Sequence, residues 1–273
     1  MAKKVSILGC GWLGFPLARH FCEKGWTVKG STTGEDKVNR LKEAGIIPYL
    51  IQLNPLYKGN SMEAFLDSEL LIINIPPSLR KQTENYHVEQ MEGFMKHIRS
   101  SRVRKVIYIS STSVYPDLNR EVLEEDVTSI EQAESKTLFQ AEEIFRTEKS
   151  LEVVIVRCAG LAGYDRNLVK HFAGKKDLLF GNAPVNLIHR DDVIGIVYEL
   201  IEKGMWNRTY NISAPEHPLR KDLYSLLAVR YGYEPPQYVD SDKSAFKIIS
   251  IKKLQKDLNY TFKFTDPREF LYK

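Results

Sequence analysis

Short apolar runs separated by polar or glycine-containing turns recur through the first two thirds of the chain: Val5–Leu8, Trp26–Lys29, Tyr49–Leu53, Leu70–Ile75, Val106–Ser110 and Val153–Arg157. Each is rich in Val, Ile and Leu and of strand length, as suits strands buried on both faces of a parallel sheet. Between them lie Phe15–Lys24, Asp36–Ala44, Tyr86–Arg99 and Glu131–Lys149, where apolar residues return at three- and four-residue spacing, as in Phe139, Ile144 and Phe145; these predict amphipathic helices. Strand alternating with helix predicts an α/β fold, a Rossmann-type doubly wound parallel sheet with right-handed crossovers.

Beyond about Gly163 the regularity loosens. A helix over Val193–Lys203 and a strand over Thr209–Ile212 return to the main sheet, while 164–187 and 214–273 carry loops and aromatics. The expected organisation is a Rossmann-type core over 1–163, with 188–213 returning to it, and a small C-terminal lobe built from 164–187 and 214–273. That interleaving makes one body, not two beads on a linker.

The turn after the first run reads Gly9-Cys10-Gly11-Trp12-Leu13-Gly14, a G-x-G-x-x-G that follows a strand and opens a helix. In that setting Gly9 allows the tight turn, Gly11 lets a pyrophosphate approach the backbone and Gly14 lets helix and strand pack closely. The anion then rests on free amides at the helix N-terminus. Gly9, Gly11, Trp12, Leu13 and Gly14 are the candidate cofactor loop. An NAD site usually carries Asp or Glu about twenty residues on; here stand Lys29-Gly30-Ser31-Thr32-Thr33. Hydroxyl donors on Ser31, Thr32 and Thr33, with a nearby positive charge, accommodate a 2′-phosphate, so NADP is favoured. NAD stays open, since Glu35 or Asp36 can fold back toward the ribose.

Composition narrows the partners. Lys and Arg number 39 against 35 Asp and Glu, a surplus of +4 spread evenly, and this is no nucleic-acid footprint. The three cysteines, Cys10, Cys22 and Cys158, have neither zinc nor disulfide spacing, so no metal site is expected. With no apolar run of membrane-crossing length and no secretory signal pattern, the expectation is a soluble cytoplasmic protein.

More specific landmarks lie further on. Val106 to Tyr115, reading VIYISSTSVY, resembles the strand and turn of the extended short-chain dehydrogenase/reductase family, the NAD(P)-dependent epimerases and dehydratases. Val156 to Gly163 is similar to that family's Arg-Pro-x-x-x-x-Gly turn, and Ile188 to Val193 to its strand-to-helix junction. Tyr210-Asn211-Ile212 matches the strand that follows, and Ser250–Leu254 through Tyr260 the closing helix and turn. Their order spans nearly the whole chain.

The resemblance implies a nicotinamide cofactor along the sheet's C-terminal edge and a Ser-Tyr-Lys set that moves a proton while hydride transfers. By position, Ser111 takes the hydroxyl role with Ser113 beside it, and Lys136 takes the Lys role, holding the nicotinamide ribose. Ile75, Pro76 and Pro77 stand where the family's backbone passes the cofactor. The Tyr is missing: Gln132 stands four residues before Lys136, and a carboxamide cannot give up a proton near neutral pH. Such catalysis is worth roughly 10² to 10⁴ in rate. Tyr115 is the candidate for a displaced proton donor, against packing in the Val-Tyr turn. Cys158 replaces the usual Pro, and Gln52-Leu53 the usual Asp-Leu near the adenine. The combination resembles the atypical extended branch.

Several other residues invite two readings. His189 is expected as a hydrogen-bonded residue at a strand end, and Asp191 or Asp192 as the cap of the following helix. His171, Asn167, Asn182 and Asn186 lie where the family lines its substrate pocket, or are ordinary loop residues. The implied function is an NAD(P)-binding oxidoreductase or epimerase lacking the usual catalytic Tyr. The alternative is a non-enzymatic NADP-sensing regulatory protein. The expected partner is a small molecule, a sugar or carbonyl compound, and a homodimer is implied through the segments holding Lys136 and Tyr86–Arg99.

Overall fold

The computed structural model describes residues 3–54, 61–77, 85–239 and 245–272. Residues 1–2 and 273, at the ends of the expected core and lobe, and 240–244 within the lobe lie outside the described residues. In chain order the strands are β1 (Lys4–Leu8), β2 (Thr27–Thr32), β3 (Ile47–Leu50), β4 (Leu70–Ile73), β5 (Lys105–Ser111), β6 (Arg120–Val122), β7 (Glu152–Cys158), β8 (Gly160–Ala162), β9 (Leu187–His189), β10 (Arg208–Ile212) and β11 (Lys247–Ile249). The helices are α1 (Gly14–Glu23), α2 (Val38–Glu43), α3 (Ser61–Phe65), α4 (Tyr86–Arg99), α5 (Lys136–Arg146), α6 (Arg190–Glu202), α7 (Arg220–Arg230) and α8 (Lys252–Leu258).

Seven strands form one parallel sheet in the order β10-β7-β5-β4-β1-β2-β3. Its two faces are read off the alternation within each strand. Val5 and Ile7, Leu70 and Ile72, Ile107, and Val154 and Val156 pack toward α1, α6 and α8. Leu71 and Ile73, Val106 and Tyr108, and Val153 and Ile155 pack toward α3, α4 and α5. Burial on both sides explains why the runs are apolar throughout instead of alternating with polar residues. The order reverses between β1 and β4, so both strands deliver their C-terminal ends to one crevice, the place where open α/β sheets bind ligands.

A separate cluster gathers Val169, Val185, Leu187, Leu223, Leu227, Phe270 and Tyr272 from the two loop-rich stretches around Ala162 of β8. The tail does not all belong to it: Leu254 and Leu258 of α8 pack into the main core, and β11 pairs with β6.

The third strand runs Ile47–Leu50 where the pattern predicts Tyr49–Leu53, and three further differences from the sequence pattern have visible reasons. The second strand starts after Trp26, whose N–H closes the end of α1 on Phe21, and runs on through Ser31 and Thr32. The helix expected from Glu131 begins at Lys136, because Gln132 Oε1 accepts from Thr128 N, Thr128 Oγ1 and Ser129 N and holds that stretch as a turn. The helix α7 falls where the pattern suggested loops; it buries Leu223, Tyr224, Leu227 and Ala228 on one face.

Candidate functional site

The turn between β1 and α1 is built so that a side chain at either flanking glycine collides with backbone. Gly9 has φ +96°, and a Cβ there would lie 2.5 Å from the Asn74 carbonyl oxygen; one at Gly14 would overlap the Gly9 carbonyl. Around Gly11 nothing lies within 4 Å of that position, so the middle of the turn faces open space. From below, Gly9 N–H donates to Ser31 Oγ (2.8 Å), Cys10 N–H to Ser31 O (2.8 Å), and Asn74 Nδ2 to Gly9 O (3.1 Å). No side chain caps the N-terminus of α1, and its first turn holds no acidic residue. A preformed turn with uncapped amides and a helix dipole behind it favours an anion.

Two cavities meet over this turn. One, of about 260 Å³, runs along Ser31, Thr32, Thr33, Lys37 and Leu53. The other, of about 440 Å³, continues past Trp12 and Leu13 to Ser110, Ser111, Leu138, Cys158 and Arg166. They share Gly11, Asn74, Ile75 and Pro76, which makes one continuous cleft along the C-terminal edge of the sheet.

At the first end the candidate hydroxyls are present, but Lys29 is not the cation beside them. Its ammonium is buried on the opposite side of the strand, donating to Ala64 O (2.6 Å) and Asp67 O (2.8 Å). Burial lowers its pKa, with Asp67 opposing. The reason is depth: Lys29 lies mid-strand beside Ser6 of β1, two residues short of Ser31 at the cavity, and its side chain runs to the α3 segment instead. Lys37, one turn into the next crossover, takes the place at the cavity wall. Glu35 and Asp36 are exposed and are not among the lining residues. Asn74 and Lys37 were missed in the sequence, since a lone Asn after a strand and a lysine in a charged segment carry no pattern of their own.

At the other end Ser111 lines the cavity, and Ser113 donates to it through both N–H (3.2 Å) and Oγ (3.0 Å). Lys136 is the first residue of α5, exposed, and does not line the cavity; Leu138 does. Gln132 is tied into the Thr128–Ser129 turn described above. Tyr115, the candidate displaced proton donor, is fully buried. Its Oη donates to Asn211 Oδ1 (2.7 Å) and accepts from Arg157 Nη1 (2.8 Å), and burial raises its pKa despite that guanidinium. It is a packing residue, and the lowering that a proton donor needs is reversed. Tyr108 is likewise raised by burial, its hydroxyl paired with His87 Nε2 (2.9 Å). Burial pushes the Cys158 thiol up to about 12.

Behind the cavity lies a buried charged network. Glu142, at 0% exposed, accepts from Ser110 Oγ (2.6 Å), Arg157 Nη2 (2.8 Å) and Arg146 Nη2 (2.9 Å). It fixes β5 and β7 against α5.

The cap of α6 is His189, not either aspartate: its Nδ1 accepts from Asp191 N (3.2 Å). Asp191 accepts from the Tyr164 hydroxyl (2.7 Å), and buried Asp192 accepts from Lys263 N (2.7 Å), Phe264 N (3.1 Å) and Tyr260 Oη (3.2 Å), bolting the tail to the core. Asn167 caps the turn at Val169, and Asn186 bridges to Lys247 and Ile249. Neither these two nor His171 and Asn182 line the cleft.

A model of the NAD dependent epimerase/dehydratase family matches residues 5–213. The chain belongs to that family. Protein YeeZ of Escherichia coli K12 is 33% identical over 268 residues, covering 97% of each chain. Among solved structures, MoeE5 in complex with UDP-glucose and NAD superposes with TM-score 0.80 at 16% identity, covering 98% of this chain and 96% of that one. A UDP-galactose 4-epimerase gives 0.74 at 17%, covering 97% and 95%. A functionally unknown conserved protein from Silicibacter pomeroyi gives 0.77 at 20%, covering 98% and 96%. The family match ends just past β10, so the glycine turn, Ser111 and the Asp191-Asp192 junction all lie within it. Among the described residues no helix is long and apolar enough to cross a membrane.

Proposed function

We propose that the chain binds NADP in this cleft, with the adenosine end against Ser31–Thr33 and Lys37, the diphosphate on Gly9–Gly14 and the nicotinamide end toward Ser111. The single observation that carries this is the continuity of the two cavities across an uncapped glycine turn. Lys37 supports NADP over NAD, because among the described residues no carboxylate lines that end and a 2′-phosphate gains a cation.

In this reading the protein is an oxidoreductase or epimerase acting on a small sugar or carbonyl compound, with Ser111 polarising the oxygen of the reacting group. The bound cofactor supplies or accepts hydride. Ser111, fed by two donors from Ser113, keeps its own O–H to donate. The accompanying proton does not come from the family tyrosine position.

One observation favours a second reading, a cofactor-sensing protein without turnover. Tyr108 and Cys158 are both shifted upward, and the remaining ionisable side chain among the described lining residues of the central cavity is the guanidinium of Arg166. General acid/base work at neutral pH has no residue there suited to it. We place the protein in the cytoplasm, in keeping with its three unpaired cysteines, and place any homodimer contact on α4 and α5.

The test is to measure dissociation constants for NADPH and NADH, in wild type and Lys37→Ala, and then to add carbonyl compounds and nucleotide sugars while following cofactor oxidation. Tighter NADPH binding that Lys37→Ala weakens roughly tenfold, with NADH unchanged, supports the NADP assignment. Tighter NADH binding refutes it. Oxidation with any substrate decides for the enzyme, and saturable binding with none across the panel decides for the sensor.

A further inference from the structure

Trp12, inside the glycine turn, is held by the lobe. Its Nε1–H donates to Asp165 Oδ1 (2.7 Å), and the guanidinium groups of Arg166 and Arg190 lie over its ring at 4.4 and 4.9 Å. Asp165 and Arg166 form a tight turn after β8, closed by a bridge between Gly163 and Arg166 and tied to the end of the chain by one between Tyr164 and Tyr272. The turn is thus anchored in the lobe and rests on the core's glycine loop.

The two arginines are not equivalent. Arg190 starts α6, lies over Tyr164 as well as Trp12 and stands 3.9 Å from Asp165. Arg166 lines the central cavity beside Gly11, Trp12 and Leu13, and among the described residues no side chain hydrogen-bonds or ion-pairs with its guanidinium. The nearest carboxylate in sequence, Asp165, is committed to the indole. A guanidinium without a side-chain hydrogen-bond partner among the described residues, lying over the Trp12 ring of the loop that presents uncapped amides, is arranged to complete an anion site there.

We propose that Arg166 is a lobe-borne binding residue for the cofactor's diphosphate, closing over the glycine turn from the side opposite α1. The proposal rests on the dinucleotide reading of the cleft. The helix terminus supplies the equivalent of about half a positive charge, whereas the diphosphate bridge carries two negative ones; Arg166 supplies a full cation and two parallel donors. Because Arg166 comes from the lobe, a bound dinucleotide links lobe to core through its phosphates, before any substrate enters.

The experiment is calorimetric titration of wild type, Arg166→Ala and Arg166→Lys with three probes: NADPH, ADP-ribose, and adenosine 2′-monophosphate, which lacks the diphosphate. Arg166→Ala is expected to weaken NADPH and ADP-ribose roughly tenfold or more while changing adenosine 2′-monophosphate less than twofold, and Arg166→Lys falls between. A thermal melt confirms that the variants are folded. Unchanged ADP-ribose affinity in Arg166→Ala overturns the proposal and assigns the arginine to a group further along the cavity, such as a substrate anion. Equal weakening of all three probes also overturns it, by making the residue a support of the turn. Failure of the cleft reading looks different, since wild type then binds none of the three, and the proposal falls with it.

Discussion

Removing the carboxylate of Glu142 gives a large and calculable effect. Glu142 is 0% and Arg157 1% exposed, joined at 2.8 Å, and the same carboxylate also receives Ser110 and Arg146. In Glu142→Ala, Arg157 keeps Tyr115 Oη (2.8 Å) and the carbonyls of Glu124 (3.2 Å) and Val127 (3.4 Å), but no anion. Breaking a buried pair from one side costs about 3–5 kcal/mol, because the other charge stays buried and uncompensated. For a chain of this size that lowers the melting temperature by roughly 6–20 °C. Denaturant melts give the free energy and calorimetry the temperature. The double variant Glu142→Leu with Arg157→Met, which removes both charges, is expected to recover most of the loss. A loss below about 1 kcal/mol in Glu142→Ala, or a double variant less stable than the single one, refutes the reasoning.

Further expectations follow from other sites. Burial lowers the His189 imidazole from 6.5 to about 4, with Asp191 opposing; the unfolded chain therefore takes up a proton that the folded one refuses. Stability is complete above pH 6.5 and declines as pH falls toward 4, by up to ~1.4 kcal/mol per unit. His189→Asn, which can keep the helix cap, should lose that part of the slope, and parallel pH profiles would sink the assignment. Gly14→Ala places a methyl on the Gly9 carbonyl and 2.9 Å from Asn74 Nδ2; expected are about 1–3 kcal/mol of destabilisation and at least tenfold weaker NADPH binding, checked by melts and titration. Lys136→Ala, altering an exposed residue outside the cavity wall, should leave cofactor affinity within twofold; a larger loss would show that its ammonium reaches the ribose.

The frame of the fold was legible because buried parallel strands are apolar throughout and the crossover helices keep their spacing. The glycine turn was legible as well, since only glycine tolerates the collisions at positions 9 and 14. Side-chain direction was not. Lys29 looked like a phosphate partner by proximity in sequence, yet it sits too deep along the strand and reaches Ala64 and Asp67 instead, and Lys37 does the lining. The Gln132-x-x-x-Lys136 spacing suggested one helix face, but the carboxamide of Gln132 spends itself on Thr128 and Ser129, and α5 starts only at Lys136. Competition between a side chain and the backbone for the same amides leaves no trace in periodicity. The helix α7 was hidden for another reason: its apolar residues do not keep to one stripe, since Leu226 and Val229 are exposed while Leu223 and Leu227 are buried, and its partners in the lobe come from distant segments.

The central claim, that a dinucleotide lies over the glycine turn, is tested most directly by titrating NADPH into wild type and Gly11→Val while following cofactor fluorescence. A Cβ at Gly11 meets nothing within 4 Å of the protein, yet Gly11 lines both halves of the cleft. The account expects saturable binding to wild type and loss of that binding in a variant whose melting temperature stays within a few degrees. Equal affinity of both proteins for NADPH, or no saturable binding by wild type, would contradict it.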